Sequence, residues 1–179
     1  MPSRFKISFL FGLIIFFNST IIISQLDPAK ASRMKVQGIY LYSFAKNVYW
    51  PSAYSTGDFT IGIYGSKDLF DQLNTNFKGK MTGSQNIIFD FYESTSDISD
   101  CHMLFIGKEE TSTIPKVKKV LDEKTLLVTE LADISNSSSS MINFVYLQGR
   151  LKFQLNKSEA EKNNFKIGQT LTKLAYSTI

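Results

Sequence analysis

The chain holds one cysteine, one histidine and one tryptophan among its 179 residues. Each scarcity excludes a class of chemistry. A lone Cys101 forbids an internal disulfide framework. It also removes the material for cysteine-rich zinc sites. With His102 as the only histidine, centres built on several imidazoles lack ligands, and a histidine-based triad has almost nothing to draw on. The phosphate-binding signatures G-x-G-x-x-G and G-x-x-x-x-G-K-[ST] are absent. Charge of one sign is lacking as well: 20 basic residues stand against 16 acidic ones, for a formal charge of +4. The basic residues are dispersed. Their densest cluster, Lys116, Lys118 and Lys119, reads as a solvated helix face, so a nucleic-acid partner is not expected. No sustained repeat is visible.

What is present starts at the N-terminus. Arg4 and Lys6 precede an apolar run from Ile7 to Ile23, interrupted by Asn18, Ser19 and Thr20, and a polar stretch follows. A basic start, an apolar core and a polar exit are the layout of a secretory signal. A bilayer span needs about 20 predominantly apolar residues, and this run is short and broken. Residues 1–24 therefore read as a signal peptide, with cleavage after Ser24 or, through Ala29-Lys30-Ala31, after Ala31. No cysteine lies near either exit, which argues against a lipid anchor. Removing residues 1–24 removes Arg4 and Lys6 and no acid, so the net charge falls from +4 to +2. The expected product is exported and soluble. An apolar fraction of 43% and a charged fraction of 20% suit one globular domain.

Along the remainder, Val36, Tyr40, Phe44 and Val48 recur every four residues, which predicts a helix over Ser32–Trp50 stopped by Pro51. Phe59–Tyr64 reads as a strand between Gly57 and Gly65. Ser66 is placed to cap a helix carrying Leu69, Phe70, Leu73 and Phe77, ended by Gly79. Asn86–Tyr92, Cys101–Ile106 and Thr125–Thr129 read as further strands, with a helix begun by Pro115 before the last of them. Asn136–Ser140 is a small polar loop. Met141–Leu147 and Arg150–Leu155 flank Gln148-Gly149, a hairpin connection. Asn156 and Glu159 suit a helix start, and Ile167, Leu171, Leu174 and Ala175 suit a last helix. The expectation is a three-layer α/β/α single domain over 32–179, with a mixed, mostly parallel sheet and a C-terminal hairpin.

Few constellations carry chemistry. Gly62-Ile63-Tyr64-Gly65-Ser66 joins a strand to a helix and reads as a plain turn. Cys101 and His102 are adjacent, so on a strand their side chains diverge and cannot form a dyad. They read as a buried structural thiol and a hydrogen-bonded histidine. Asp97, Asp100, Glu109 and Glu110 flank the Cys101 strand and read as solvated loop acids, although paired carboxylates can do acid–base work or bind a hard cation. Tyr40, Tyr42, Tyr49 and Trp50 cluster on or beside the first helix. Tyr and Trp are common interface anchors, so Tyr42, Tyr49 and Trp50 are the candidate partner or ligand contacts.

Five segments then carry a resemblance. They are Lys35-Val36-Gln37-Gly38-Ile39-Tyr40-Leu41-Tyr42-Ser43-Phe44-Ala45-Lys46-Asn47-Val48-Tyr49-Trp50-Pro51, Cys101-His102-Met103-Leu104-Phe105-Ile106, Met141-Ile142-Asn143-Phe144-Val145, Gly149-Arg150-Leu151-Lys152-Phe153-Gln154-Leu155-Asn156, and Leu171-Thr172-Lys173-Leu174-Ala175. In this order and spacing the chain resembles the YfiR family of periplasmic proteins. The resemblance implies an α/β periplasmic domain that dimerises and restrains a membrane-bound diguanylate cyclase of the YfiN type. The partner would make cyclic di-GMP inside the cell, and this protein would catalyse nothing. Some family members carry disulfides; Cys101 stands where the family has a cysteine, and it has no partner here.

The resulting expectation is a non-enzymatic periplasmic regulator and homodimer, with no catalytic, cofactor or metal-binding residue assigned. The alternative is a small-molecule sensing module serving another membrane receptor, with aromatics near Trp50 lining a cleft. A third reading is an exported enzyme using the loop acids.

Overall fold

The computed structural model describes residues 27–50, 52–131 and 140–179. The expected leader, Pro51 and most of the Asn136–Ser140 loop lie outside the described residues.

Short apolar runs form the strands of one mixed sheet. Its strands are β2 (Phe59–Tyr64), β3 (Met81–Thr82), β4 (Gln85–Tyr92), β5 (Met103–Ile106), β6 (Leu126–Glu130), β7 (Ile142–Leu147), β8 (Arg150–Leu155) and β10 (Ser177–Thr178). They lie in the order β3-β4-β2-β5-β6-β7-β8-β10. β4, β2, β5, β6 and β7 run parallel. β7 and β8 form the expected antiparallel hairpin, and β3 turns back on β4. The hairpin closes through Gln148 and Gly149, with φ of 49° and 73°. Two successive positive φ values are what a two-residue turn needs to follow strand twist, and glycine adopts one of them without strain.

Period-2 alternation sorts the sheet into two faces. Phe59, Ile61 and Ile63, with Met103, Phe105, Phe144 and Phe153, meet α1 (Pro28–Asn47), α2 (Lys67–Phe77) and the short α4 (Lys157–Lys162) and α5 (Gln169–Leu174) in the main core. Tyr64, Leu104, Ile106 and Leu127 point the other way and meet α3 (Ile114–Val120). The expected three layers are therefore present, one thick and one thin. Gly62 faces α3 at a crowded point: a Cβ there would lie 2.5 Å from the Tyr92 ring. The absent side chain is what lets Tyr92 cross the strand.

Several boundaries differ from the sequence expectation. α1 starts at Pro28 rather than Ser32, because the Asp27 carboxylate accepts from the Ala29 N–H at 3.0 Å and caps it. It also ends at Asn47, because Val48 and Tyr49 leave the helix to form β1, antiparallel to β9 (Lys166–Ile167). Ile167 thus sits in a strand rather than in the last helix. Tertiary pairing overrides helical periodicity at both places. Ser66 occupies the N-cap of α2 but its hydroxyl makes no capping bond. Cys101 and His102 precede β5 rather than open it. Ser140, expected in a solvated loop, is buried and bonds Thr129 at 2.7 Å beside Asn143.

Candidate functional site

The three aromatic candidates sit in different settings. Trp50 is half-buried. Its Nε1–H donates to the Ala45 carbonyl at 3.0 Å, and its ring packs edge-on against Phe59 and Phe165, with centroids 4.9 and 5.5 Å away. It belongs to the edge of the core. Tyr42 is also half-buried, tilted against Phe77 of α2 at 6.1 Å, with its hydroxyl donating to the Met81 carbonyl at 3.3 Å. Lys46 and Lys80 reach over its ring at 5.5 and 5.9 Å. Tyr49 alone is a free surface aromatic, at 67% exposure in the two-residue strand β1. The geometry separates a packing residue, a partly covered residue and an exposed one.

Cys101 and His102 diverge as expected. Cys101 lies in the α3-side core, where burial pushes its thiol up to about 12. A thiol so hard to ionise is a poor nucleophile. His102 lies on the other side, stacked on Phe59 at 4.4 Å. The Thr60 N–H donates to its Nδ1 at 3.1 Å, so Nε2 carries the proton and donates to the Tyr54 carbonyl at 3.1 Å. Both ring nitrogens are thus committed to holding the Tyr54 turn against β2. Burial lowers the pKa of His102 below its ordinary value, which keeps this neutral form. Among the loop acids, Glu110 accepts from the Tyr64 hydroxyl at 3.0 Å, while Asp97, Asp100 and Glu109 are exposed. No group of three or more histidine, cysteine or acidic residues placed to hold a metal occurs among the described residues.

Two concavities flank the N-terminal half of α1, and Arg33 borders both. The first is a crevice of about 310 Å³ between the turn after β2, at Gly65-Ser66-Lys67, and the turn after β5, at Gly107-Lys108-Glu109. Strand order reverses direction between β2 and β5, and α2 and α3 leave on opposite faces there. Such switch points are where open α/β sheets bind ligands. Lys30, Arg33, Lys67 and Lys108 line it, along with Asp68, Glu109 and Glu130. The second concavity is a groove of about 550 Å³ between α1 and the tip of the β7–β8 hairpin. Val36, Tyr146 and Leu151 supply its apolar walls, and Arg33 and Arg150 its charge. The Arg33 guanidinium lies 5.0 Å over the Tyr146 ring.

A model of the YfiR/HmsC-like family matches residues 34–176. The chain belongs to the YfiR/HmsC-like family. The match starts in α1 and ends just before β10, so it takes in nearly the whole described domain. No curated protein matches the chain. Members of this family are periplasmic regulators of diguanylate cyclase signalling rather than enzymes. The described residues contain no helix long and apolar enough to cross a membrane. Family membership fits the chemistry seen here, in which the one histidine and the one thiol serve packing. The groove beside Tyr146 was not legible in advance. Met141–Leu147 is almost uniformly apolar, so nothing in it marks Tyr146 as a residue that meets solvent.

Proposed function

We propose that this protein is a non-enzymatic periplasmic regulator that binds the extracytoplasmic part of a membrane signalling partner, a diguanylate cyclase, and restrains it. Membership in the YfiR/HmsC-like family over residues 34–176 carries the reading. The inert settings of Cys101 and His102 support it, since neither offers a free nucleophile or base. In this reading residues 1–24 direct export, the folded domain acts as a homodimer, and no cofactor or metal takes part. Tyr42, Tyr49 and Trp50 are the candidate contacts in this reading, with Tyr49 the most exposed of the three.

The test is genetic and quantitative. Deleting the gene should raise intracellular cyclic di-GMP, and expressing the wild-type chain should lower it again. An unchanged level in a strain that expresses an active cyclase partner would reject the cyclase reading.

A second reading is favoured by the switch-point crevice, whose size falls within the about 300–1,000 Å³ typical of small-ligand sites. A small molecule bound there would make the protein a sensing module. The two readings combine, because a ligand that prefers one conformation shifts partner binding.

A further inference from the structure

The groove between α1 and the β7–β8 hairpin adjoins an open strand edge. β10 pairs with β8 only at Gln154 and Leu155. Tyr176 N–H donates to the Phe153 carbonyl and Ile179 N–H to the Leu155 carbonyl, both at 2.8 Å. Those carbonyls therefore face the β10 side. Backbone groups in a strand alternate with period 2, so the N–H and C=O of Leu151 face that same side, beyond the end of β10. No strand among the described residues covers them. An uncovered edge of this kind is a template for an added strand.

The groove beside this edge is chemically one-sided. Arg33 and Arg150 are its only charged residues, both are exposed, and neither pairs with a carboxylate among the described residues. Glu130 lies outside it, at the hydroxyl end of Tyr146. Between the two arginines lie Val36, Leu151 and the Tyr146 ring, the last 39% exposed. The floor is apolar and the rim is cationic.

We infer that this is the docking site for an extended acidic–apolar segment of the membrane partner, which adds a strand beside Arg150–Lys152 and sets its carboxylates against Arg33 and Arg150. Main-chain bonds to Leu151 fix the register, and alternate apolar side chains enter the groove over Val36 and Tyr146. The inference rests on the partner-binding function proposed above. It assigns the contact to a different surface from Tyr49.

The probe is a capped hexapeptide of alternating aspartate and valine, with a lysine–valine peptide as its counterpart. Titrated into the ¹⁵N-labelled chain, the acidic peptide should shift the amides of Arg33, Tyr146, Arg150 and Leu151 and slow amide exchange at Leu151. The lysine peptide should not. The double variant Arg33→Glu, Arg150→Glu should lose at least about tenfold in affinity for the acidic peptide and gain the lysine peptide, a swap that general destabilisation cannot produce. Both arginines are exposed, so circular dichroism should show the fold kept. In the deletion strain the double variant should fail to lower cyclic di-GMP where wild type succeeds. Equal binding of both peptides, shifts confined to another surface, or full complementation by the double variant would overturn the site. So would a change of the free protein's dimerisation by the double variant, or binding to anionic vesicles in place of the peptide; either would give the groove another occupant. If wild type itself fails to lower the signal, the cyclase reading falls, and the peptide titration still decides the groove.

Discussion

At the scale of single residues, the lone cysteine and the lone histidine of this protein are committed to packing and hydrogen bonding within the fold. Cys101 is 2% exposed and sits among Leu104, Tyr92 and Leu127. Replacing its sulfur with a hydroxyl puts a polar group where an apolar one packed, so Cys101→Ser should cost about 1–3 kcal/mol, measured by urea unfolding. A maleimide should label the thiol slowly in the native protein and quickly in urea. Fast native labelling would mean the thiol is accessible. His102 gives a pH dependence whose sign follows from its lowered pKa. The unfolded chain takes up a proton below about 6.5, while the folded chain resists because Nδ1 must keep accepting from Thr60. Stability from this group is thus fully present above about 6.5 and is lost as pH falls from there towards the folded-state value. Trp50, the only tryptophan, has its ring 6.2 Å from His102, so its fluorescence can follow the transition. The urea midpoint should fall between pH 7.5 and pH 5.5, and His102→Gln should flatten that fall. An equal fall in the variant would assign it to other groups.

At the scale of elements, the sequence exposed what is periodic or punctuated and hid what depends on distant pairing. Phe59–Tyr64 and Arg150–Leu155 were readable to the residue, because glycines bound the first and a hairpin turn starts the second. Val48 and Ile167 were misread as helical. Each continues an apolar helix pattern, and only their partnership in β1 and β9 shows them to be strand. The same limit applies to the aromatic site: the spacing that made Tyr42, Tyr49 and Trp50 look alike says nothing about Phe59 and Phe165, which draw Trp50 inward. Substitution should separate them. Trp50→Ala should cost about 3 kcal/mol or more, as for other packed aromatics, whereas Tyr49→Ala should stay within about 0.5 kcal/mol. Chemical unfolding of the two variants decides it, and a costly Tyr49→Ala would show that β1 leans on that ring. The hairpin makes its own prediction. Gly149 has φ of 73° with open space around it, so alanine meets no clash there but must adopt a left-handed conformation. Gly149→Ala should therefore cost about 1–2 kcal/mol, and a neutral result would mean the turn relaxes to another type.

At the scale of the whole molecule, the fold bears on where the chain would begin under the export signal proposed for residues 1–24. The sequence left two exits, after Ser24 and after Ala31. The second lies within the first turn of α1, which begins at Pro28 and is capped by Asp27. A cut after Ala31 would remove that cap together with Lys30, whose ammonium pairs with Asp68 on α2. Losing an aspartate cap costs about 1 kcal/mol. The surface pair, about half exposed at both ends, adds between zero and about 1 kcal/mol. A chain beginning at Ser32 should therefore unfold at lower urea than one beginning at Gln25, with a free-energy difference of about 1–2 kcal/mol and an unchanged urea slope. The exit after Ser24 keeps every contact of the first turn, so the N-terminus of protein recovered from the periplasm should read Gln25-Leu26-Asp27. Recovery of a stable chain starting at Ser32 would show that the domain does without its first turn, and would also remove Ala29 from the groove that α1 shares with the hairpin.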